Sequence, residues 1–143
     1  MTSSSTRTQS WSVPREGGVK SREPSFGKVP ISVADPVRGS NHQAAASPHA
    51  IVDMGTTTVP HMTRILDDID AALADGGTAY VHCWGGIGRT GTVVGCWLVR
   101  HGLDRGDPIA TIARLRRAVL DSFMPSPQTT AQRAMVTGWR RGR

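Results

Sequence analysis

The middle of the chain holds a run of apolar residues that share the spacing of one helix face. The members of this run are Met62, Ile65, Leu66, Ile69 and Leu73. Their positions, i, i+3, i+4, i+7 and i+11, predict an amphipathic helix, which Gly76 and Gly77 would end. The pattern also predicts a short strand over residues 50–53 before this helix, and a central, parallel strand over residues 78–82 after it.

Helical patterns continue through the rest of the chain. Residues 89–101 are apolar nearly all round, which predicts the most buried helix, closed by Gly102. Asp107 and Ser126 are each followed by proline, the pattern of a helix cap, and each predicts the start of a further helix. The side chains expected to point inward from these two helices are Ile109, Ile112, Val119, Leu120, Ala131, Met135 and Trp139.

Arg116 falls in the middle of the apolar face of the third predicted helix. Either its stem lies along the apolar surface with the guanidinium in water, or the guanidinium forms a buried ion pair; we favour the first. The order strand–helix–strand–loop–helix predicts an α/β fold, with a small parallel or mixed sheet flanked by helices.

Residues 1–49 show no sustained period. The first 50 residues hold ten Ser, five Pro and four Gly but no Leu, a composition typical of disordered or linker-like segments. Residues 29–33 could form one short strand, which Pro30 would confine to an edge. The sequence therefore predicts a disordered or atypical arm over residues 1–49 and one folded domain over residues 50–141, whose sheet would be incomplete at the N-terminus.

Composition limits the class of protein. A chain of 143 residues with 38% hydrophobic and 5% aromatic residues has room for one domain with a small core. Two cysteines exclude a disulfide-stapled secreted module and a four-cysteine zinc site. The chain has no apolar run of membrane-spanning length and no apolar signal core, so we expect a cytoplasmic protein without a membrane partner.

The charge is unevenly distributed. Residues 105–143 carry 8 Arg and 2 Asp/Glu, whereas the whole chain has a net charge of +6. A basic surface attracts phosphate groups, nucleic acid included, but no aromatic residues alternate with these arginines. We therefore favour a solvated helix face and do not expect nucleic acid as a partner.

The segment from Cys83 to Thr90 carries the candidate chemistry. Cys83 follows a predicted strand, and Arg89 opens a predicted helix. Five residues lie between them, and three of these five are glycine. Such a loop can turn successive N–H groups inward as an anion nest, to which the helix N-terminus adds positive potential. The residues expected to surround a phosphate are Trp84, Gly85, Gly86, Ile87, Gly88 and Arg89.

The same potential would favour the thiolate form of Cys83 and make it a nucleophile. Arg89 supplies a fork that matches two phosphate oxygens, and Thr90 can donate its hydroxyl to the thiolate. His82 precedes the nest, so we expect it to order the loop rather than act as a base. The alternative is a structural cysteine beside a Gly-rich turn that arose by chance.

The motif His-Cys-x-x-Gly-x-Gly-Arg-Thr at residues 82–90 resembles the signature of the cysteine-dependent protein-tyrosine phosphatase superfamily, in its compact dual-specificity branch. A rhodanese-type loop is the nearest rival, but it usually has four residues between Cys and Arg rather than five. The resemblance covers about residues 50–141. It implies a protein-tyrosine-phosphatase-like fold and hydrolysis of phosphate monoesters through a phosphocysteine, with no metal or other cofactor.

The resemblance also implies a general acid about thirty residues before the nucleophile, and Asp53 occupies that position. Its rivals are Asp67, Asp68 and Asp70, which we expect to be solvated charges on the first helix. Gln128 and Gln132 resemble the Gln-Thr-x-x-Gln element that positions the hydrolytic water. Spaced i and i+4 on one predicted helix, both could face one site, or both could be ordinary surface residues.

Loop residues Trp84 and Ile87 stand where phosphoinositide phosphatases of this superfamily often carry lysine. Their absence favours a phosphorylated protein or peptide as the substrate, without choosing between phosphotyrosine and phosphoserine or phosphothreonine. Cys96 could be a redox partner of Cys83, but we favour a plain core residue. The functional alternative is a phosphate-binding pseudophosphatase or an inactive truncated fragment with an intact loop. The oligomeric state is left open.

Overall fold

A computed structural model describes residues 49–74 and 79–143, together with the backbone of two short strands near the N-terminus. The strands are β1 (Trp11–Ser12), β2 (Ile31–Ser32) and β3 (Tyr80–His82). The helices are α1 (Val59–Ala74), α2 (Gly88–Arg100), α3 (Pro108–Leu115) and α4 (Thr130–Thr137). Apart from β1, β2 and residue 49, the predicted arm over residues 1–49 lies outside the described residues.

Strand β3 lies between the other two strands. It pairs in parallel with β2, with Ile31 opposite Val81, and antiparallel with β1, with Trp11 opposite Val81. Each flanking strand is only two residues long. The described part of the chain is thus rich in helix around a very short sheet, and the α/β prediction is confirmed only in part.

The predicted strand over residues 50–53 is wrong. These residues form a turn instead, in which the Gly55 N–H donates to the Val52 carbonyl at 2.9 Å. Ile51 is buried, but Val52 is 77% exposed. Two adjacent apolar residues therefore indicated a strand where only one of them enters the core. The carbonyl of Ile51 accepts a hydrogen bond from Arg89 rather than from a neighbouring strand.

Helices α1 and α2 form the core, as the spacing predicted. Met62, Ile65, Leu66 and Ile69 of α1 are fully buried. Helix α2 is buried over residues 88–98. A Cβ at Gly95 would lie 2.6 Å from Val136 Cγ1 and 2.9 Å from Ile112 Cδ1, so this glycine lets α3 and α4 approach α2 closely. Gly76 and Gly77, predicted to end α1, lie outside the described residues.

Helix α3 begins as predicted but ends early. The Asp107 carboxylate accepts from the Ala110 N–H at 2.9 Å, and the helix stops at Leu115, so Val119 and Leu120 lie beyond it. Leu120 is 69% exposed, and its predicted inward position is wrong. The cause is Arg116, which is 1% exposed and therefore does not reach into water as expected.

The Arg116 guanidinium donates to the carbonyl oxygens of Met124 at 2.6 Å and Asp121 at 3.1 Å. These bonds fold the chain back into turns where the apolar pattern alone would continue a helix. Burial lowers the pKa of Arg116 and the Asp121 charge acts against that shift.

Helix α4 begins three residues later than predicted. Thr129, not Ser126, is its cap, and a capping box joins Thr129 to Gln132. Trp139 is buried as expected, whereas Ala131 is exposed and its predicted inward position is wrong. The inner face carries Gln132 and Val136 instead. Within the described residues, no helix combines the length and apolarity needed to cross a membrane.

Candidate active site

The segment over residues 83–90, called the Cys83 loop below, runs from the end of β3 into the first turn of α2. Cys83 is only 4% exposed, so its sulfur lies at the base of the loop rather than on the surface. Gly86 has φ +64°, a left-handed conformation that glycine adopts without steric cost, and it lets the chain turn back towards α2. The Thr90 hydroxyl donates to Cys83 Sγ at 3.0 Å. A donor at this distance stabilises negative charge on the sulfur.

The N-terminus of α2 opens into a pocket of about 200 Å³. Ile87 stands at the cap position, and its side chain offers no acceptor to the first N–H groups of the helix. The positive end of the helix dipole therefore acts at the pocket. The residues that line the pocket are Asp53, Met54, Cys83, Trp84, Gly85, Ile87, Gly88, Arg89 and Gln128.

Arg89 is held rigidly at the pocket wall. Its side chain is 5% exposed, its Nη1 donates to the Ile51 carbonyl at 3.2 Å, and its Nη2 lies 3.3 Å from Asp53 Oδ1. The guanidinium is thus fixed by a backbone group and a carboxylate on the turn over residues 51–55, called the Asp53 turn below. A planar guanidinium in this place can bind two oxygens of a phosphate.

Asp53 lines the pocket from the Asp53 turn and is 79% exposed. Its Oδ1 also accepts from the Met54 N–H at 3.0 Å. Met54 has φ +59°, a left-handed conformation that is unusual for a residue other than glycine and often marks a functional site. The structure therefore brings Asp53, Cys83 and Arg89 to one pocket.

The rival aspartates of α1 have other partners. Asp70 accepts from Trp97 Nε1 at 2.8 Å and contacts His101 and Arg100. Asp67 pairs with Arg100, and Asp68 with His49. Their side chains are 56%, 44% and 33% exposed for Asp67, Asp68 and Asp70, so they are solvated as expected, and they also tie α1 to α2 and to residue 49. None of the three lines the pocket.

Gln128 and Gln132 are not on adjacent turns of one helix, since Gln128 precedes α4. Gln128 lines the pocket and is half-buried. Gln132 is fully buried, its Oε1 accepts from the N–H groups of Gln128 and Thr129, and its Nε2 donates to the Gly55 carbonyl at 3.0 Å. A Cβ at Gly88 would lie 2.6 Å from Gln128 Oε1 and 3.1 Å from Gln132 Nε2, so both glutamines pack against the Cys83 loop.

His82 lies outside the residues that line the pocket and packs against Tyr80, with 5.0 Å between the ring centroids. Burial lowers the pKa of His82, because the protonated ring loses more hydration than the neutral ring. A neutral ring beside the strand is compatible with the predicted ordering role, which stays a prediction.

Cys96 belongs to the hydrophobic core and is fully buried. Burial raises its pKa well above the ordinary range, so the protonated thiol is favoured. A protonated, buried thiol is a poor nucleophile, which favours the core role over a redox partnership. Among the described residues, no group of three or more His, Cys, Asp or Glu side chains could hold a metal ion.

Three contributors to the site escaped the sequence analysis. The Ile51 carbonyl holds Arg89, Met54 lines the pocket, and the Ser126 hydroxyl donates to the Ile87 carbonyl at 2.7 Å. A backbone carbonyl leaves no trace in a residue pattern, and Ser126 was assigned to a helix cap. The sequence signal for Met54 is the glycine that follows it, since Gly55 indicates a turn.

The comparisons with known proteins identify a family and a similar fold. The family described as Swiss Army Knife protein, DSP-PTPase phosphatase domain, matches residues 37–137. An uncharacterized protein of Methanocaldococcus jannaschii, MJECL20, is 41% identical over 54 residues, which are 38% of this chain and 37% of that protein. The crystal structure of Tk-PTP in the active form resembles the fold with a TM-score of 0.58 at 21% identity, over 75% of this chain and 74% of that one.

Proposed function

Because this chain belongs to the Swiss Army Knife DSP-PTPase phosphatase domain family, within the cysteine-dependent protein-tyrosine phosphatase superfamily, we propose that it hydrolyses phosphate monoesters through a phosphocysteine intermediate. The observation that carries the proposal is the convergence of Cys83, Arg89 and Asp53 on one pocket. A nucleophile, a planar cation and a carboxylate are the groups that phosphoryl transfer to sulfur requires.

In the first step, Cys83 Sγ attacks phosphorus, an S–P bond forms and the P–O bond to the leaving group breaks. Arg89 and the N–H groups of the Cys83 loop hold the equatorial oxygens, on which negative charge gathers. Asp53, in its protonated form, gives its proton to the leaving oxygen. Its 3.3 Å contact with Arg89 supports this role, because it places the carboxyl beside the bound phosphoryl group.

In the second step, water attacks the phosphocysteine, and the S–P bond breaks to give inorganic phosphate and the Cys83 thiolate. Asp53, now a carboxylate, accepts a proton from the water. We assign the positioning of that water to Gln128, whose side chain lines the pocket. Gln132 is occupied with backbone groups, so we assign it to holding the Asp53 turn through Gly55. The Thr90 hydroxyl stabilises the departing thiolate.

The pocket rim supports a phosphorylated protein or peptide as the substrate and partner. Trp84 and Met54 are 74% and 52% exposed, and Arg89 is the one cation among the described lining residues. An apolar rim suits a phosphotyrosine ring or apolar flanking residues better than a multiply phosphorylated inositol. Phosphotyrosine is therefore the preferred substrate in this proposal. We also propose the cytoplasm as the location of the protein.

The test is turnover of p-nitrophenyl phosphate and of a phosphotyrosine peptide in the presence of EDTA. We expect both to be hydrolysed by the wild-type chain and neither by the Cys83→Ser variant. Circular dichroism of the variant controls for folding. Binding of inorganic phosphate without turnover by the wild type would show the alternative function, a phosphate-binding pseudophosphatase.

A further inference from the structure

Ser126 has no place in the chemistry above, yet it is buried against the Cys83 loop. Its side chain is 7% exposed, and its hydroxyl donates to the Ile87 carbonyl at 2.7 Å across 39 residues of sequence. Ser126 does not cap α4, because Thr129 does so. Nor does it line the pocket, whereas Ile87 and Gly88 do.

The bond orients a peptide plane at the start of α2, together with the Gly91 N–H, which donates to the same Ile87 carbonyl at 3.2 Å. In a trans peptide the carbonyl of one residue and the N–H of the next point in opposite directions. The Ile87 carbonyl points towards Ser126, which lies outside the pocket, so the Gly88 N–H points away from Ser126. Gly88 lines the pocket, and its N–H is among the first of α2, where an anion binds.

The neighbouring helix surface is shaped for this contact. A Cβ on Gly91 would lie 2.1 Å from Ser126 Oγ and 3.3 Å from the Pro127 nitrogen. Only a residue without a side chain leaves room for the hydroxyl, which explains the glycine one helical turn after Gly88. The i, i+3 spacing puts Gly88 and Gly91 on one face of α2, towards residues 126–132.

From this geometry we propose that Ser126 is a positioning residue, which aims the Gly88 N–H at an oxyanion bound above Cys83. The inference rests on the proposed function for its relevance to catalysis, but oxyanion binding tests it directly. The Ile87 carbonyl also accepts from the Gly91 N–H at 3.2 Å, so loss of the hydroxyl leaves it with a partner. The Ser126→Ala variant is therefore expected to fold.

The experiment measures tungstate affinity by calorimetry, kcat/KM for p-nitrophenyl phosphate, and Tm. Ser126→Ala should weaken tungstate binding and lower kcat/KM by about tenfold each, the size expected for one misdirected donor to a charged group. Ser126→Thr retains the hydroxyl and should restore most of both values. Gly91→Ala should displace the Ser126 hydroxyl and lower tungstate affinity and kcat/KM to a similar extent. The double variant with Ser126→Ala should lower both values little further, because both changes break the same contact.

Thr111→Val is the matched control. The Thr111 hydroxyl donates to the Asp104 carbonyl at 2.8 Å, and Thr111 is as buried as Ser126 but does not line the pocket. This variant should lose stability and keep its tungstate affinity. The proposal is overturned if Ser126→Ala binds tungstate as tightly as the wild type, if Thr111→Val loses the same affinity, or if the wild type binds no tungstate. Tungstate binding without turnover would count against the proposed function alone, since the affinities still decide the role of Ser126.

Discussion

The two sides of the pocket differ sharply in how they are held. On the Cys83 loop, Cys83, Arg89 and Thr90 are 4%, 5% and 0% exposed. On the Asp53 turn, Asp53 is 79% exposed, and the neighbouring Met54 is 52% exposed. The first side has the rigidity that oxyanion binding needs, because its donors must be aimed before the charge arrives. The second side carries the proton donor on an exposed turn.

Specific hydrogen bonds and an ion pair hold the Asp53 turn at the pocket. Arg89 reaches the Asp53 turn through the Ile51 carbonyl and the Asp53 carboxylate, and Gln132 reaches it through the Gly55 carbonyl. Substitutions on the two sides should therefore have different effects. Damage to the buried side should abolish binding and chemistry together, whereas damage to the exposed side should impair proton transfer alone.

The largest expected effect comes from Arg89→Lys. A lysine keeps the charge but loses the planar fork, and the tetrahedral N–H donors of its ammonium group do not match two phosphate oxygens side by side. We expect kcat/KM to fall by about a hundredfold to a thousandfold on every substrate, the range seen when a preorganised donor is lost. Steady-state kinetics on p-nitrophenyl phosphate and a phosphotyrosine peptide measure it. Arg117→Lys, an exposed position outside the pocket, is the control and should have wild-type rates.

Asp53→Asn should impair proton transfer and leave oxyanion binding intact. Loss of the proton donor should slow phosphotyrosine turnover on the order of a hundredfold, a typical share for general acid–base catalysis. p-Nitrophenyl phosphate, with its better leaving group, should be slowed less, and tungstate affinity should not weaken. The alkaline limb of the pH–rate profile should also disappear, because that limb records loss of the proton from the acid.

Equal rates and pH profiles for wild type and Asp53→Asn on phosphotyrosine would exclude Asp53 as the acid. Asp68→Asn is the matched control on α1, since its carboxylate contacts His49 and lies outside the pocket lining. Its phosphotyrosine kinetics should match the wild type.

The smallest expected effect concerns stability at the buried side. Burial lowers the pKa of His82 in the folded state below its ordinary value of 6.5. The unfolded chain therefore binds a proton more readily, so stability is complete above about pH 6.5 and declines as the pH falls towards the folded pKa. Between pH 7.5 and 5.5 we expect Tm to fall, and to fall by less in His82→Asn. An identical decline in both proteins would show that His82 does not contribute.

Sequence reasoning succeeded where the determinants are local. The Cys83 loop could be predicted because Cys83 and Thr90, seven residues apart, lie on a strand end and a helix start that the motif itself encodes. Helix α1 followed from apolar periodicity, and helix α2 from a segment that is apolar nearly all round and closed by Gly102. The expected thiolate character of Cys83 and the roles of Asp53 and Gln128 remain predictions that the experiments above address.

Several contacts that the sequence did not predict are long-range. Arg89 to Ile51, Ser126 to Ile87 and Gln132 to Gly55 join residues 38, 39 and 77 positions apart. Nothing in local spacing reveals such pairs. The end of α3 was missed because the buried Arg116 binds backbone carbonyls of the following turns, an interaction that overrides the apolar pattern.

The proposed reaction depends on a covalent phosphocysteine that forms at Cys83, on the buried side of the pocket. The most direct measurement is rapid acid quenching of the Asp53→Asn variant during turnover of p-nitrophenyl phosphate, followed by mass spectrometry of its peptides. Loss of the base should slow hydrolysis of the intermediate and let it accumulate. We predict phosphate on the peptide that contains Cys83 and none on the peptide that contains Cys96. Turnover with no phosphate on Cys83 at any quench time, or undiminished turnover by Cys83→Ser, would contradict the account.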